Sequence, residues 1–300
     1  MKAEWRDLGD KGFLIVPQFL STAELELIRS DYDLQSSAPP TNSSYVGKKK
    51  STYDPRFATK AILDHFEPKL QSVSEAVLAA TGIDTDVTVT AMYFAIDRGI
   101  NTPWHQDHES YFLFQEHWHY LNFYIPIVKP KTTESNVCVL PFDALRKNGP
   151  EFYSRLKGGG AARFVPNGFQ TAVNDDETDT SYVMPFDIEQ LAVTPNLSAG
   201  DLLLLRGDMI HRTQDTNTAR VAITFRRVST KSIFRHSKFM ARGRLKREIM
   251  SKGGPLYDTV SQCFTNWNKN ELTVGEVLPL IRTFLRGEIG TPRSRGRSDG

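Results

Sequence analysis

Polar and apolar residues alternate most cleanly over residues 120–127, with Tyr120, Asn122 and Tyr124 on one side and Leu121, Phe123 and Ile125 on the other. Successive side chains of an extended chain point to opposite faces. This period therefore predicts a half-buried strand whose polar side is able to line a cavity. Arg220–Val228 repeats the pattern, setting Arg220, Ala222, Thr224 and Arg226 against Val221, Ile223 and Phe225. The β-branched and aromatic stretch Val87–Ile96 predicts another strand, and the unbroken leucines 202–205 a fully buried one. Residues 12–16 and 136–140 are short apolar runs stopped by Pro17 and Pro141. Helices punctuate this pattern. Ser21 and Glu24 have capping-box spacing ahead of Leu25, Leu27 and Ile28. Residues 58–78 place apolar side chains at helical intervals, as expected for a helix covering the core, and Val274–Leu285 predicts an amphipathic helix.

Many short strands behind a helical N-terminal third imply a mainly β fold with flanking helices, a double-stranded β-helix of the jelly-roll type. Residues 36–54, rich in Ser, Pro, Asn and Lys, read as a long loop. Residues 151–187 read as an irregular insertion over one mouth of the barrel, carrying Gly158-Gly159-Gly160 and an acidic patch at Asp175-Asp176-Glu177. The expected division is a catalytic domain over 1–230, a basic helical extension over 231–290 and a disordered tail over 291–300.

Composition narrows the function classes. A chain of 300 residues buries a large core. Its formal charge of +2 gives no global attraction for nucleic acid, although the C-terminal quarter is basic. No apolar run approaches the roughly 20 residues that span a bilayer, and the N-terminus lacks a signal-type apolar core. Cys138 and Cys263 are far apart and fit a reducing compartment, so a cytoplasmic protein without a membrane partner is expected. Oligomeric state is not legible.

The candidate chemistry lies at Trp104-His105-Gln106-Asp107 and, about a hundred residues later, His211. Residues two apart on a strand share a face, so His105 and Asp107 are able to grip one ion while Gln106 points away. With His211 from a distant strand they would form a 2-His-1-carboxylate triad, the donor set of non-haem iron(II) centres. His117 and His119 flank Trp118 at metal-like spacing, but strand and surface histidines of this kind are usually structural. His108 adjoins the motif, Trp104 is expected beside the metal, and Arg206, in the turn leading to His211, is a candidate to face substrate.

The stretch from Gly200-Asp201 through the leucines to His211, Thr213 and Arg220 resembles the distal strand pair of the phytanoyl-CoA dioxygenase-like family. Residues 12–21 and 136–141 resemble that family's opening and its strand-Leu-Pro segment. The resemblance implies an iron(II)- and 2-oxoglutarate-dependent oxygenase. It would use O2 to convert 2-oxoglutarate to succinate and CO2 while oxidising a C–H bond, most simply by hydroxylation of a small-molecule metabolite. It implies His105, Asp107 and His211 as metal ligands, with Thr213 and Arg220 binding the 2-oxoglutarate tail. Asn122 and Tyr124, or Tyr93 on the preceding strand, are further candidates for the cosubstrate's carboxylates. Because family halogenases carry a small residue at the position of Asp107, an intact carboxylate favours hydroxylation, desaturation or ring closure. Arg220 follows His211 at close spacing, which leaves Arg226, on the same face, as a rival anchor. The alternatives are a hydroxylase of RNA or protein and a catalytically silent metal-binding barrel.

Overall fold

A computed structural model describes residues 5–37, 54–96, 103–107, 117–156, 162–165, 171–174, 180–214, 218–240 and 254–285. Its main layer is a six-stranded antiparallel sheet. The strands are β1 (Phe13–Val16), β2 (Asp54–Phe57), β3 (Val87–Ile96), β4 (Tyr120–Val128), β9 (Leu202–Arg206) and β11 (Arg220–Val228), in the order β1-β9-β4-β11-β3-β2. Helices α1 (Trp5–Lys11), α2 (Thr22–Ser37) and α3 (Lys60–Thr81) cover one face. There Leu8, Ile28, Ile62, Phe66 and Leu70 pack on Tyr93, Leu121, Phe123, Ile125, Ile223 and Phe225. The capping box at the head of α2 forms as its spacing requires: Glu24 accepts from the Ser21 amide at 2.7 Å, and the Glu24 amide donates back to Ser21 Oγ at 3.3 Å.

The opposite face of the sheet meets a second layer. Here β5 (Val137–Val139) pairs with β10 (His211–Thr213), and β6 (Ala162–Val165), β7 (Thr171–Asn174) and β8 (Thr180–Val183) form a small antiparallel sheet. Residues 104–105 join the two: the Phe164 amide donates to the Trp104 carbonyl, and His105 bridges to His211. Tyr124, Leu203, Leu205 and Ala222 from the main sheet pack against Val137, Val139, Phe164 and Ile210 between the layers. Strand β4 is thus covered on both faces, not one, and only Val128 is exposed.

The fold is mixed α/β around a core like a double-stranded β-helix, which corrects the mainly β expectation. Helices occupy more of the described residues than strands do, and the two layers do not close into a barrel. The 151–187 stretch also departs from expectation. Its described residues hold α5 (Pro150–Leu156), which follows α4 (Phe142–Asn148), and then β6, β7 and β8; its triglycine and acidic patch lie outside those residues. Each strand is only four residues long, too short for period-2 patterning to register.

Beyond β11, β12 (Ile233–Arg235), α6 (His236–Met240), α7 (Gly254–Trp267), β13 (Glu271–Thr273) and α8 (Val274–Leu285) build a separate apolar cluster. Phe234, Phe239, Phe264, Leu272 and Val277 pack there on Val89, Tyr120 and Val228 at the end of the main sheet. Arg242, Arg244, Lys246, Arg247 and the 291–300 tail lie outside the described residues, as do His108 and most of the 36–54 loop.

Candidate metal centre

His105 and His211 arrive from segments a hundred residues apart and exchange both backbone N–H···O bonds at 3.0 Å. Directly opposed residues of an antiparallel pair share a face, so the two rings lie side by side with centroids 4.3 Å apart. His105 Nδ1 sits 2.8 Å from the Pro103 carbonyl and His211 Nδ1 3.0 Å from the Met209 carbonyl. A carbonyl only accepts, so each Nδ1 carries the hydrogen and each Nε2 turns a lone pair toward a common point. Asp107 Oδ1 lies 4.0 Å from His105 Nε2 and 3.8 Å from His211 Nε2. The three ligand atoms all fall within 4.8 Å of one another, and they are the sole such group of His, Cys, Asp and Glu among the described residues.

Burial pushes the Asp107 carboxyl up, but His211, Arg226 and His105, together with the hydrogen bond from Asn122, hold it below the usual carboxylate range. Asn122 Nδ2 donates to Asp107 Oδ2, leaving Oδ1 to face the histidines. Asn122, expected to bind cosubstrate, is thus tied to the carboxylate of the candidate triad. An ionised carboxylate and two imidazole lone pairs converging on one side match the donor set of a non-haem iron(II) site.

The same face of the main sheet carries a place for a carboxylate. Arg220 is 4% exposed, and its NH1 nitrogen is tied to the carbonyls of Ser135 and Asn136. Among the described residues its Nε is buried with no hydrogen-bond partner, and so is the hydroxyl of Tyr124, whose ring lies 5.9 Å from the guanidinium. Two orphaned donors buried together are costly unless an acceptor arrives. Carboxylate oxygens would supply the missing acceptors, and the fixed fork of an arginine suits a carboxylate. Lys129 adds positive charge: burial and the nearby Arg220 lower its pKa to about 8. Thr213 stands on the same edge, since it pairs with Val137 next to Asn136 and shares a strand face with His211. Arg226 pairs across the sheet with Asn122 on one side and Thr90 on the other, toward Asp107 and away from Arg220.

Several expected site residues lie elsewhere. Tyr93 is on the helix-covered face, fully buried, and its hydroxyl donates to Asp31 Oδ2 at 2.7 Å. It cannot reach a cosubstrate, because odd-numbered positions of β3 point away from the centre. Arg206 does not face substrate either. It ends β9, nearly fully buried, and forms a two-point ion pair with Asp208. Trp104 turns from the metal side, donating to Glu189 Oε1 at 2.7 Å beneath the Arg212 guanidinium. His119 Nδ1 accepts from the Asp84 amide and is structural. Lys129 went unnoticed in the sequence because it lies past the patterned part of β4, and no local motif marks it.

The phytanoyl-CoA dioxygenase (PhyH) family model matches residues 8–224. No curated protein matches the chain. Among solved structures, the non-heme alpha ketoglutarate-dependent epimerase SnoN from nogalamycin biosynthesis is similar with a TM-score of 0.52 and 13% identity, over 77% of this chain and 81% of that one. The carbocyclase SnoK from the same biosynthesis is similar with a TM-score of 0.52 and 13% identity, over 81% of this chain and 88% of that one. At such identity these two likenesses speak to the fold. The family match covers well over half of the sequence and contains His105, Asp107, His211 and Arg220, and on that extent the chain belongs to the phytanoyl-CoA dioxygenase family.

Proposed function

We propose that this protein is an iron(II)- and 2-oxoglutarate-dependent oxygenase that oxidises a C–H bond of a small organic molecule. The observation that carries the reading is the convergence of His105 Nε2, His211 Nε2 and Asp107 Oδ1 on one point, with both Nδ1 atoms committed to backbone carbonyls. These three residues would hold the metal on one face and leave its other face to cosubstrate and oxygen. Bound there with 2-oxoglutarate, iron(II) would activate O2, the oxidant that no protein side chain replaces.

The chain's own residues do the positioning. Arg220 Nε and the Tyr124 hydroxyl would take the far carboxylate of 2-oxoglutarate, Thr213 would add a hydroxyl from the neighbouring strand, and Lys129 would neutralise further charge. Asn122 holds one oxygen of Asp107, so that the other would be free to hold the metal. The apolar side chains between the layers exclude water from the cosubstrate's flank. An Asp107 carboxylate would fill the ligand position that a halide would otherwise take, which favours hydroxylation or another C–H oxidation. SnoN and SnoK are named for epimerisation and carbocyclisation, so product analysis should look for stereoinversion and ring closure beside added oxygen.

The test is uncoupled turnover. Succinate release from 2-oxoglutarate should require iron(II) and fall to background in His105→Ala and in His211→Ala. Full succinate production by both variants would remove the metal assignment. A panel of small metabolites screened for stimulation of succinate release then identifies the substrate class.

A further inference from the structure

Three residues outside the ligand set join its two halves. Gln106 sits between two ligands, so its side chain points to the opposite face from theirs. It is fully buried, and its Nε2 donates to the Asp208 carbonyl at 2.8 Å. Asp208 lies in the turn that leads to His211, and the next carbonyl along, that of Met209, orients the His211 ring. The Asp208 carboxylate is gripped by Arg206 at two points, Nε to Oδ1 at 2.9 Å and NH2 to Oδ2 at 2.6 Å, and both side chains are 1% exposed. Arg206 is fixed in turn. Its guanidinium lies 4.0 Å from the Trp118 ring centroid and 4.8 Å from that of Phe142, and NH1 donates to the Gly9 carbonyl at 2.7 Å.

The N-terminal segment closes this arrangement from outside. The Arg206 amide donates to the Gly12 carbonyl at 3.0 Å. Gly12 has φ 86°, and a Cβ there would fall 2.6 Å from the Phe142 ring and 2.8 Å from Met209 Sδ. The α1–β1 junction is therefore pressed directly against the turn that delivers the distal histidine. A buried ion pair is seldom a net source of stability, because both charges lose their water; its best-attested use is to enforce one geometry.

We propose that Gln106, Asp208 and Arg206 form a positioning unit that sets the His105–Asp107 pair in register with His211. The unit does not touch the metal. It fixes the spacing between ligands that come from separate parts of the chain, so that the site is assembled before an ion arrives. This inference rests on the reading of His105, Asp107 and His211 as the metal ligands.

The experiment uses the full chain, with manganese(II) as the probe, read by calorimetry and by the paramagnetic resonance spectrum of the bound ion. Gln106→Met keeps the side-chain volume and removes the donor. Its dissociation constant for manganese(II) should rise about tenfold, the lower end of the effect of outer-shell changes at metal sites. The spectrum of the bound ion should broaden. A structural role alone would lower the melting temperature of the metal-free protein and leave both readings unchanged. A second variant, Arg206→Lys, keeps the charge but loses the two-point grip, and it should weaken binding in the same direction if Gln106→Met fails to fold. An affinity within threefold of wild type in each variant that folds overturns the proposal. If His211→Ala binds manganese(II) as tightly as wild type, the ligand assignment fails, and the positioning unit with it, a pattern distinct from failure of the unit alone.

Discussion

Arg220→Gln tests the cosubstrate pocket most directly. The substitution removes the charge and the Nε donor while keeping a polar side chain of shorter reach. Truncating one partner of a buried, hydrogen-bonded charge pair costs about 2–5 kcal/mol of binding. The Tyr124 hydroxyl and Lys129 stay in place, so the loss belongs at the low end of that range. At about 1.4 kcal/mol per tenfold change, the dissociation constant for 2-oxoglutarate should rise roughly 30- to 100-fold. Stability should change little. The Ser135 and Asn136 carbonyls lose a donor at about 1 kcal/mol each, but burial of an unpaired cation beside Lys129 is relieved at the same time. Equilibrium binding of 2-oxoglutarate to the manganese(II)-loaded protein measures the effect, with metal affinity determined separately. A constant within threefold of wild type would refute the assignment of Arg220. So would a comparable loss in Arg226→Gln, since Arg226 stands on the Asp107 side and should act on the metal affinity instead.

Three further outcomes are expected. Tyr93→Phe should lose about 1.5–3 kcal/mol of stability, the net worth of a hydrogen bond to a charged group, and leave 2-oxoglutarate affinity unchanged; chemical denaturation and binding together check it, and a weakened cosubstrate affinity would return Tyr93 to the site. Asn122→Asp should weaken manganese(II) binding by setting a second carboxylate against Asp107, and unaltered affinity in calorimetry would show that the Asn122 contact does not orient that ligand. Lys129 has a folded pKa of about 8, below the ordinary lysine value of 10.5, so its charged form is disfavoured by folding. The resulting penalty is fully present below pH 8 and is relieved as pH rises from 8 toward the unfolded value. Lys129→Met should therefore raise the melting temperature of the metal-free protein more at pH 7 than at pH 9.5, and an equal difference at both pH values would argue against it.

How much was legible in the sequence follows from how local each signal is. The strands β4 and β11 and the helix α8 are read from their periodicity because each runs for nine residues or more, enough for the pattern to rise above chance, and β3 is read from its β-branched and aromatic composition. The His-x-Asp pair is legible for the same local reason, since strand geometry alone places His105 and Asp107 on one face. The Gly-Asp turn and the leucine strand before His211 point to the candidate third ligand through family resemblance. Short elements such as α1 and the strands β6–β8 carry too few residues for that kind of reading.

What only the tertiary structure decided is which side chains meet. Strand alternation states that Tyr93 and Asn122 each face one side of their strands, but not which side lies under the helices. Packing of α3 on the odd positions of β3 and β4 sends Tyr93 to Asp31 and Asn122 to Asp107. The same holds for Arg206, whose partners Gly9, Trp118 and Phe142 come to it from three distant segments of the chain. The sequence by itself singled out the candidate ligand types and the shared face of His105 and Asp107, because those depend on bonding chemistry and on a two-residue repeat. The roles of the surrounding polar residues depend on distances between segments far apart in the chain, and no local pattern encodes those.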